Sequence, residues 1–154
     1  MTERSLPHLR SHQRGRSGEQ AAAEWLRYMG LQHVVSIETG MRKIGGEWRH
    51  ARPVAGDIRA VIPGSGRSVL AEVKARQNAL VWSDLAVHQP VNLDEHARAG
   101  GVSLLIWRHR SGVAVMLWRP PGFGPGQRMT VPQAEALSLP RFFWQGEIPQ
   151  PPAK

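Results

Sequence analysis

The sequence predicts an α/β domain in which a central mixed β-sheet is flanked by helices. Three observations carry that prediction. The elements succeed one another as helix, strands, helix, strands, which suits a sheet with helices packed on it. Two pairs of largely alternating apolar runs are separated by tight-turn signals. A chain of 154 residues with 41% hydrophobic content can bury one core but leaves little for a second. One domain over residues 17–145 is therefore expected, after a basic arm at 1–16 and before a Pro-rich tail at 146–154.

The arm carries Arg4, Arg10, Arg14 and Arg16 with almost nothing to bury. Ser17 then offers an N-cap with Gln20 three residues on, and Gly30 offers a stop, so a helix is predicted at about 18–29. On its 3.6-residue period Ala22, Ala23, Leu26 and Met29 share the inward face, and Glu19 lies on that face too. Glu19 reads either as a first-turn carboxylate favoured by the helix dipole or as a functional group.

Residues 31–39 read as a strand, and 40–55 as a basic loop or ribbon containing Arg42, Lys43, Arg49 and Arg52. Runs 56–62 and 67–76 flank Pro63-Gly64-Ser65-Gly66 and should form an antiparallel hairpin. Residues 78–89 read as a connection. Pro90 suits the first turn of a second helix running to about Ala99 with Leu93 and Ala97 inward, ended by Gly100-Gly101. Runs 102–107 and 113–118 form another hairpin, 120–126 a loop, and 131–139 a short helix.

Charge and composition narrow the function. The net charge is +8, and only Lys43, Lys74 and Lys154 are lysines among twenty cations, leaving seventeen arginines. Guanidinium forks suit phosphate, so a polyanionic partner leads. The absence of cysteine excludes disulfides, thiolate nucleophiles and Cys-based metal sites. Apolar runs such as 113–118 are far short of a membrane span, and the first sixteen residues lack an apolar signal core, so a cytoplasmic protein is expected.

Register brings the chemistry together. A four-residue turn at 63–66 pairs Ile62 with Arg67, and counting down both strands sets Asp57 opposite Glu72. Opposed residues have Cβ atoms about 4.5–5.5 Å apart, and alternation puts Lys74 on the face of Glu72. Two opposed carboxylates repel and call for a cation. Lys74 is one; a divalent ion is a better one, because Mg²⁺ takes one or two carboxylates with water and phosphate oxygens, and Mn²⁺ accepts the same donors.

Gly56-Asp57, fourteen further residues and Ala71-Glu72-Val73-Lys74 resemble the PD-(D/E)XK nuclease pattern, with Gly56 where the pattern has Pro. Arg14-Gly15 and Glu19 resemble the helix start of the Holliday junction resolvases in that superfamily. His88-Gln89 followed by Leu93 and the run 100–106 resembles the corresponding helix and strand of RecU-type and phage resolvases and is similar to the archaeal Hjc enzymes. The resemblance covers about residues 14–118. It implies a restriction-endonuclease-like fold and a Mg²⁺-dependent homodimeric endonuclease that cuts four-way DNA junctions symmetrically and leaves 5′-phosphates. It implies a setting at the nucleoid of a bacterial or phage-infected cell. Carried over, Asp57, Glu72 and the Val73 carbonyl hold metal, Lys74 orients or deprotonates the attacking water, Glu19 supports the metal through water and Gln89 orders the site.

Arg14, Arg16, Arg42, Lys43, Arg49, Arg52, Arg59 and Arg76 flank this constellation and are expected to contact DNA phosphates. Two rivals stand beside the resolvase. One is another nuclease of the same scaffold, since residues 18–22 and 72–76 also resemble the YraN-like proteins. The other is a noncatalytic DNA-binding module in which the carboxylates are structural. His88, His96 and Asp84 fall partly in the connection at 78–89, and no zinc site is expected. Trp25 and Trp107 are expected to pack; Trp82, Phe142, Phe143 and Trp144 are expected at a subunit interface.

Overall fold

The computed structural model describes residues 18–37, 41–50 and 56–148. The arm, with Arg14 and Arg16, and Arg52 lie outside them. So do residues 149–154 of the expected tail.

Helix α1 (Gly18–Tyr28) buries Ala22, Ala23 and Leu26, the face its period predicts. Strand β1 (Gln32–Ser36) follows, and then the ribbon of β2 (Met41–Ile44) and β3 (Glu47–His50). The ribbon turns at Gly45-Gly46, both with positive φ, as a two-residue hairpin turn requires. Of Arg42, Lys43 and Arg49 the backbone alone is described.

Strands β4 (Ile58–Val61) and β5 (Ser68–Ala75) form the predicted hairpin in the predicted register, with Ile58 opposite Ala71 and Val61 opposite Ser68. After β6 (Ala79–Val81) and a 3-10 turn at Trp82–Asp84, helix α2 runs over His88–Arg98. It begins two residues before the predicted Pro90 and buries Pro90, Leu93 and Ala97. Strands β7 (Val102–His109), β8 (Gly112–Leu117) and β9 (Arg128–Thr130) and helix α3 (Val131–Leu137) complete the order.

The main sheet is ordered β1-β4-β5-β7-β8, with β5 and β7 parallel and the other neighbours antiparallel. A parallel pair must be joined by a crossover, and α2 supplies it. Because β5 and β7 are central, their residues pack on both faces, and each face carries its own core. One holds Ala22, Ala23 and Leu26 of α1 with Ile58, Val69, Ala71 and Ile106. The other holds Leu93 of α2 and Val131 and Ala134 of α3 with Leu70, Leu105 and Trp107. The β8 edge is covered, since Leu139 N donates to Val115 O and Val115 N to Ser138 Oγ.

One expectation needs correction. The connection at 78–89 contains a strand, because β6 pairs with β9 in a small sheet of its own, Leu80 opposite the buried Met129. The aromatics expected at a subunit interface also pack within the chain, and Phe142 among them is 37% exposed. Phe143 is buried, Trp144 packs against it, and Trp82 stacks on Trp118 with Phe123 at its edge.

Candidate active site

Strand β5 enters the core as an apolar run and breaks that pattern at Glu72, which is 3% exposed. By alternation Glu72 shares the face of Leu70, and its neighbours along the parallel pair are Leu105 opposite Glu72 itself and Trp107 opposite Lys74. A carboxylate there is costly unless something compensates it.

Asp57 reaches Glu72 through a kink. Gly56 has φ +73°, a conformation open to glycine, and a Cβ there would collide with the Leu70 side chain. The turn lets Asp57 N donate to Ala71 O at 2.9 Å, while Asp57 Oδ2 accepts from Val73 N at 2.8 Å. The glycine where the nuclease pattern has Pro thus serves the local backbone. The Asp57 carboxylate lies within hydrogen-bonding reach of Glu72.

Two further groups complete the cluster. Lys74 Nζ stands 4.0 Å from Glu72 Oε1 and is largely shielded. Gln89, in the first turn of α2, donates from Nε2 to Glu72 Oε1 and accepts from Ala86 N at 2.8 Å. Both ends of the amide are therefore used, which fixes its orientation. Burial pushes the Glu72 carboxyl up to about 8, Asp57 adds to the rise, and Lys74 and Gln89 only partly oppose it. The cluster is short of positive charge.

A divalent ion would meet that deficit. The donors at hand are two carboxylates and the Val73 main-chain carbonyl, an oxygen-rich set that fits Mg²⁺ or Mn²⁺, while Gln89 turns its NH2 toward the pair and orients it. Among the described residues no three His, Asp or Glu side chains stand together as a metal-holding group. Glu19 lies half-buried in the first turn of α1, a helix whose buried residues pack on the opposite face of the sheet from Leu70. Helical periodicity turned Ala22, Ala23 and Leu26 inward as expected, but which face of the sheet the helix covers was not encoded there.

Of the expected phosphate contacts, Arg59 and Arg76 are exposed. Arg76 Nε donates to Asp84 Oδ1 at 3.0 Å, a partner that sequence reading did not find, having weighed Asp84 only beside His88 and His96. The signal that was present is an Asp three residues after Val81, whose N–H its Oδ2 accepts at 3.0 Å.

The sequence matches no protein-family model and no curated protein. The fold is similar to that of Hjc, a Holliday junction resolvase from the archaeal hyperthermophile Archaeoglobus fulgidus, with a TM-score of 0.55 and 14% identity, over 77% of this chain and 90% of that one. At that identity the likeness establishes the architecture, a mixed sheet flanked by helices. Among the described residues no helix is long and apolar enough to cross a membrane.

Proposed function

We propose that this chain is a metal-dependent endonuclease of the PD-(D/E)XK type that resolves four-way DNA junctions as a homodimer. The observation that carries the reading is the buried Glu72 beside the half-buried Asp57, with Lys74 and Gln89 against it, on a fold shared with a Holliday junction resolvase. Asp57, Glu72 and the Val73 carbonyl would hold Mg²⁺ or Mn²⁺, which when bound supplies Lewis-acid charge stabilisation for phosphodiester hydrolysis.

The chain's own residues do the rest. Lys74 positions the attacking water and accepts or shares its proton, close enough to Glu72 to be held but not locked in a tight pair. Gln89 keeps Glu72 turned toward Asp57 by bridging it to the backbone before α2. Leu105 and Trp107, both fully buried, keep bulk water from the inner side of the pair and so strengthen its electrostatics. Arg59 and Arg76 contact backbone phosphates, which reads shape and charge rather than base sequence.

The test is cleavage of labelled four-way junction, linear duplex and single strand at about 100 mM salt with Mg²⁺ or Mn²⁺. Paired symmetric nicks in the junction alone, lost in Asp57→Ala with binding retained, are the expected result. Cutting of all three substrates would replace the resolvase with a broader nuclease, and junction binding without cutting in either metal would leave a noncatalytic DNA-binding module.

A further inference from the structure

We propose that Asp84 is a positioning residue that presents the Arg76 guanidinium to a DNA phosphate one step along the strand from the phosphodiester at Lys74. The inference rests on the endonuclease reading and adds to it a phosphate subsite and the residue that builds it.

Arg76 is held on three sides. Its N–H donates to Arg108 O at 3.1 Å, and its carbonyl accepts from Nε1 of the buried Trp107 at 2.8 Å. Its side chain donates from Nε to Asp84 Oδ1 at 3.0 Å and from Nη1 to Ala75 O at 2.9 Å. A guanidinium has five N–H donors, so three remain, including both on Nη2, which has no partner among the described residues. The side chain is 53% exposed while that of Asp84 is 14% exposed. The inner corner of the fork is bound and the outer edge faces solvent.

Asp84 is itself fixed. Its second oxygen accepts from Val81 N at 3.0 Å, and Trp82 N donates to Gln127 O at 3.0 Å, which ties the 3-10 turn to the chain leading into β9. The fully buried Leu80 anchors β6 beneath it. The small sheet that sequence reading missed thus serves as a base on which Asp84 stands.

Other arginines are spent differently. Arg119 binds both oxygens of Asp94, and Arg67 donates to the Gly100 and Gly101 carbonyls, so both forks turn toward the protein. Arg76 combines a fixed position with an open outer edge. An exposed ion pair by itself contributes little to stability. Its effect here is to meet the ordering cost of a long side chain before any ligand arrives. Arg76 follows the last residue of β5, and its pair with Asp84, beside the Leu80 that shares a core with Leu70, sets it on the side of the sheet that Glu72 and Lys74 share, about 7 Å beyond Lys74. The ligand class this suits is a phosphodiester, taken by a planar fork in two hydrogen bonds.

The experiment is a double-mutant cycle on Arg76 and Asp84, read by anisotropy of a labelled four-way junction in metal-free buffer from about 50 to 200 mM salt, with thermal melts of each variant. Arg76→Gln is expected to reduce the slope of log affinity against log salt by about 0.9, the share of one phosphate, and to weaken binding roughly tenfold. Asp84→Ala is expected to weaken binding about threefold with the slope kept, and to add nothing in the Arg76→Gln background. With Mg²⁺ present, both variants are expected to raise KM and keep kcat.

An unchanged slope and affinity in Arg76→Gln overturns the subsite. An Asp84→Ala effect of equal size in both backgrounds overturns the positioning role, since Asp84 would then act through the fold alone. Should Asp84→Ala fail to fold, Asp84→Asn carries the same cycle. A wild-type protein that neither binds nor cuts DNA would remove the endonuclease reading itself, whereas wild-type cutting with an indifferent Arg76→Gln removes this inference only.

Discussion

Helix α2 touches two acidic sites, and they are built in opposite ways. On its outer side Asp94 receives Nε and Nη2 of Arg119 at 2.9 and 2.7 Å and Nε1 of Trp118 at 2.8 Å. Those hydrogen bonds, led by Arg119, hold its carboxyl below the usual carboxylate range. At its first turn Glu72 meets a second carboxylate, a neutral amide and one lysine at 4.0 Å, and its carboxyl is pushed up to about 8 by burial and by Asp57. One acid is fully answered by the protein and the other is left wanting charge. A satisfied pair fastens the fold, and an undercompensated one marks a candidate functional site.

The widest difference between the two sites should appear in catalysis. Asp57→Ala and Glu72→Ala are expected to lower junction cleavage by about 10³-fold or more with the protein still folded. Asp94→Asn is expected to leave the cleavage rate unchanged. Equal losses in a single-turnover assay would erase the distinction. Next in size, Lys74→Ala should cost about 10²-fold to 10⁴-fold in kcat while junction affinity is retained, as expected for a group that handles a proton.

Stability against pH sharpens the contrast. A carboxyl raised from 4.5 to about 8 keeps, in the folded state, a proton that the unfolded chain releases. Its contribution is therefore present below about pH 4.5 and is lost as pH rises toward 8, a change of a few kcal/mol at most. Subtracting the unfolding free energies of Glu72→Gln from wild type at each pH isolates this slope. Millimolar Mg²⁺ should reverse it, since a metal needs the deprotonated acids. Asp94 has the opposite sign: its contribution is present above the ordinary Asp range and is lost as pH falls through its lowered folded value. A flat difference curve for Glu72→Gln would mean that the pair is not short of charge.

The smallest effect is at the satisfied site. Arg119→Ala is expected to lower stability by about 1–2 kcal/mol, because Arg119 is 40% exposed and Trp118 still donates to Asp94. A chemical denaturation curve checks it.

Much of this was legible in the chain. Turn signals at 63–66 and largely alternating runs set Asp57 against Glu72, and the structure keeps that register from Val61 and Ser68 to Ile58 and Ala71, with Asp57 one residue beyond the ladder. The inward faces of α1 and α2 followed from helical period. The small sheet of β6 and β9 was not legible, because two three-residue strands separated by 46 residues carry no local signature of pairing. Asp84 was missed for the same reason, since its value depends on Arg76 arriving beside it. Gln89 entered by resemblance alone; nothing in its immediate sequence says that its amide bridges Ala86 and Glu72.

By itself the sequence determined the elements of the main sheet and its helices, the carboxylate pair and the lysine two residues on, since periodicity and turn length act over a few residues and are written in order along the chain. Only the tertiary structure decided which face α1 covers, that Gln89 closes on Glu72, and that Arg119 answers Asp94 while nothing comparable among the described residues answers Glu72. Those outcomes depend on how buried surfaces fit together and on how much water they exclude, quantities that belong to the packed assembly rather than to any segment of it.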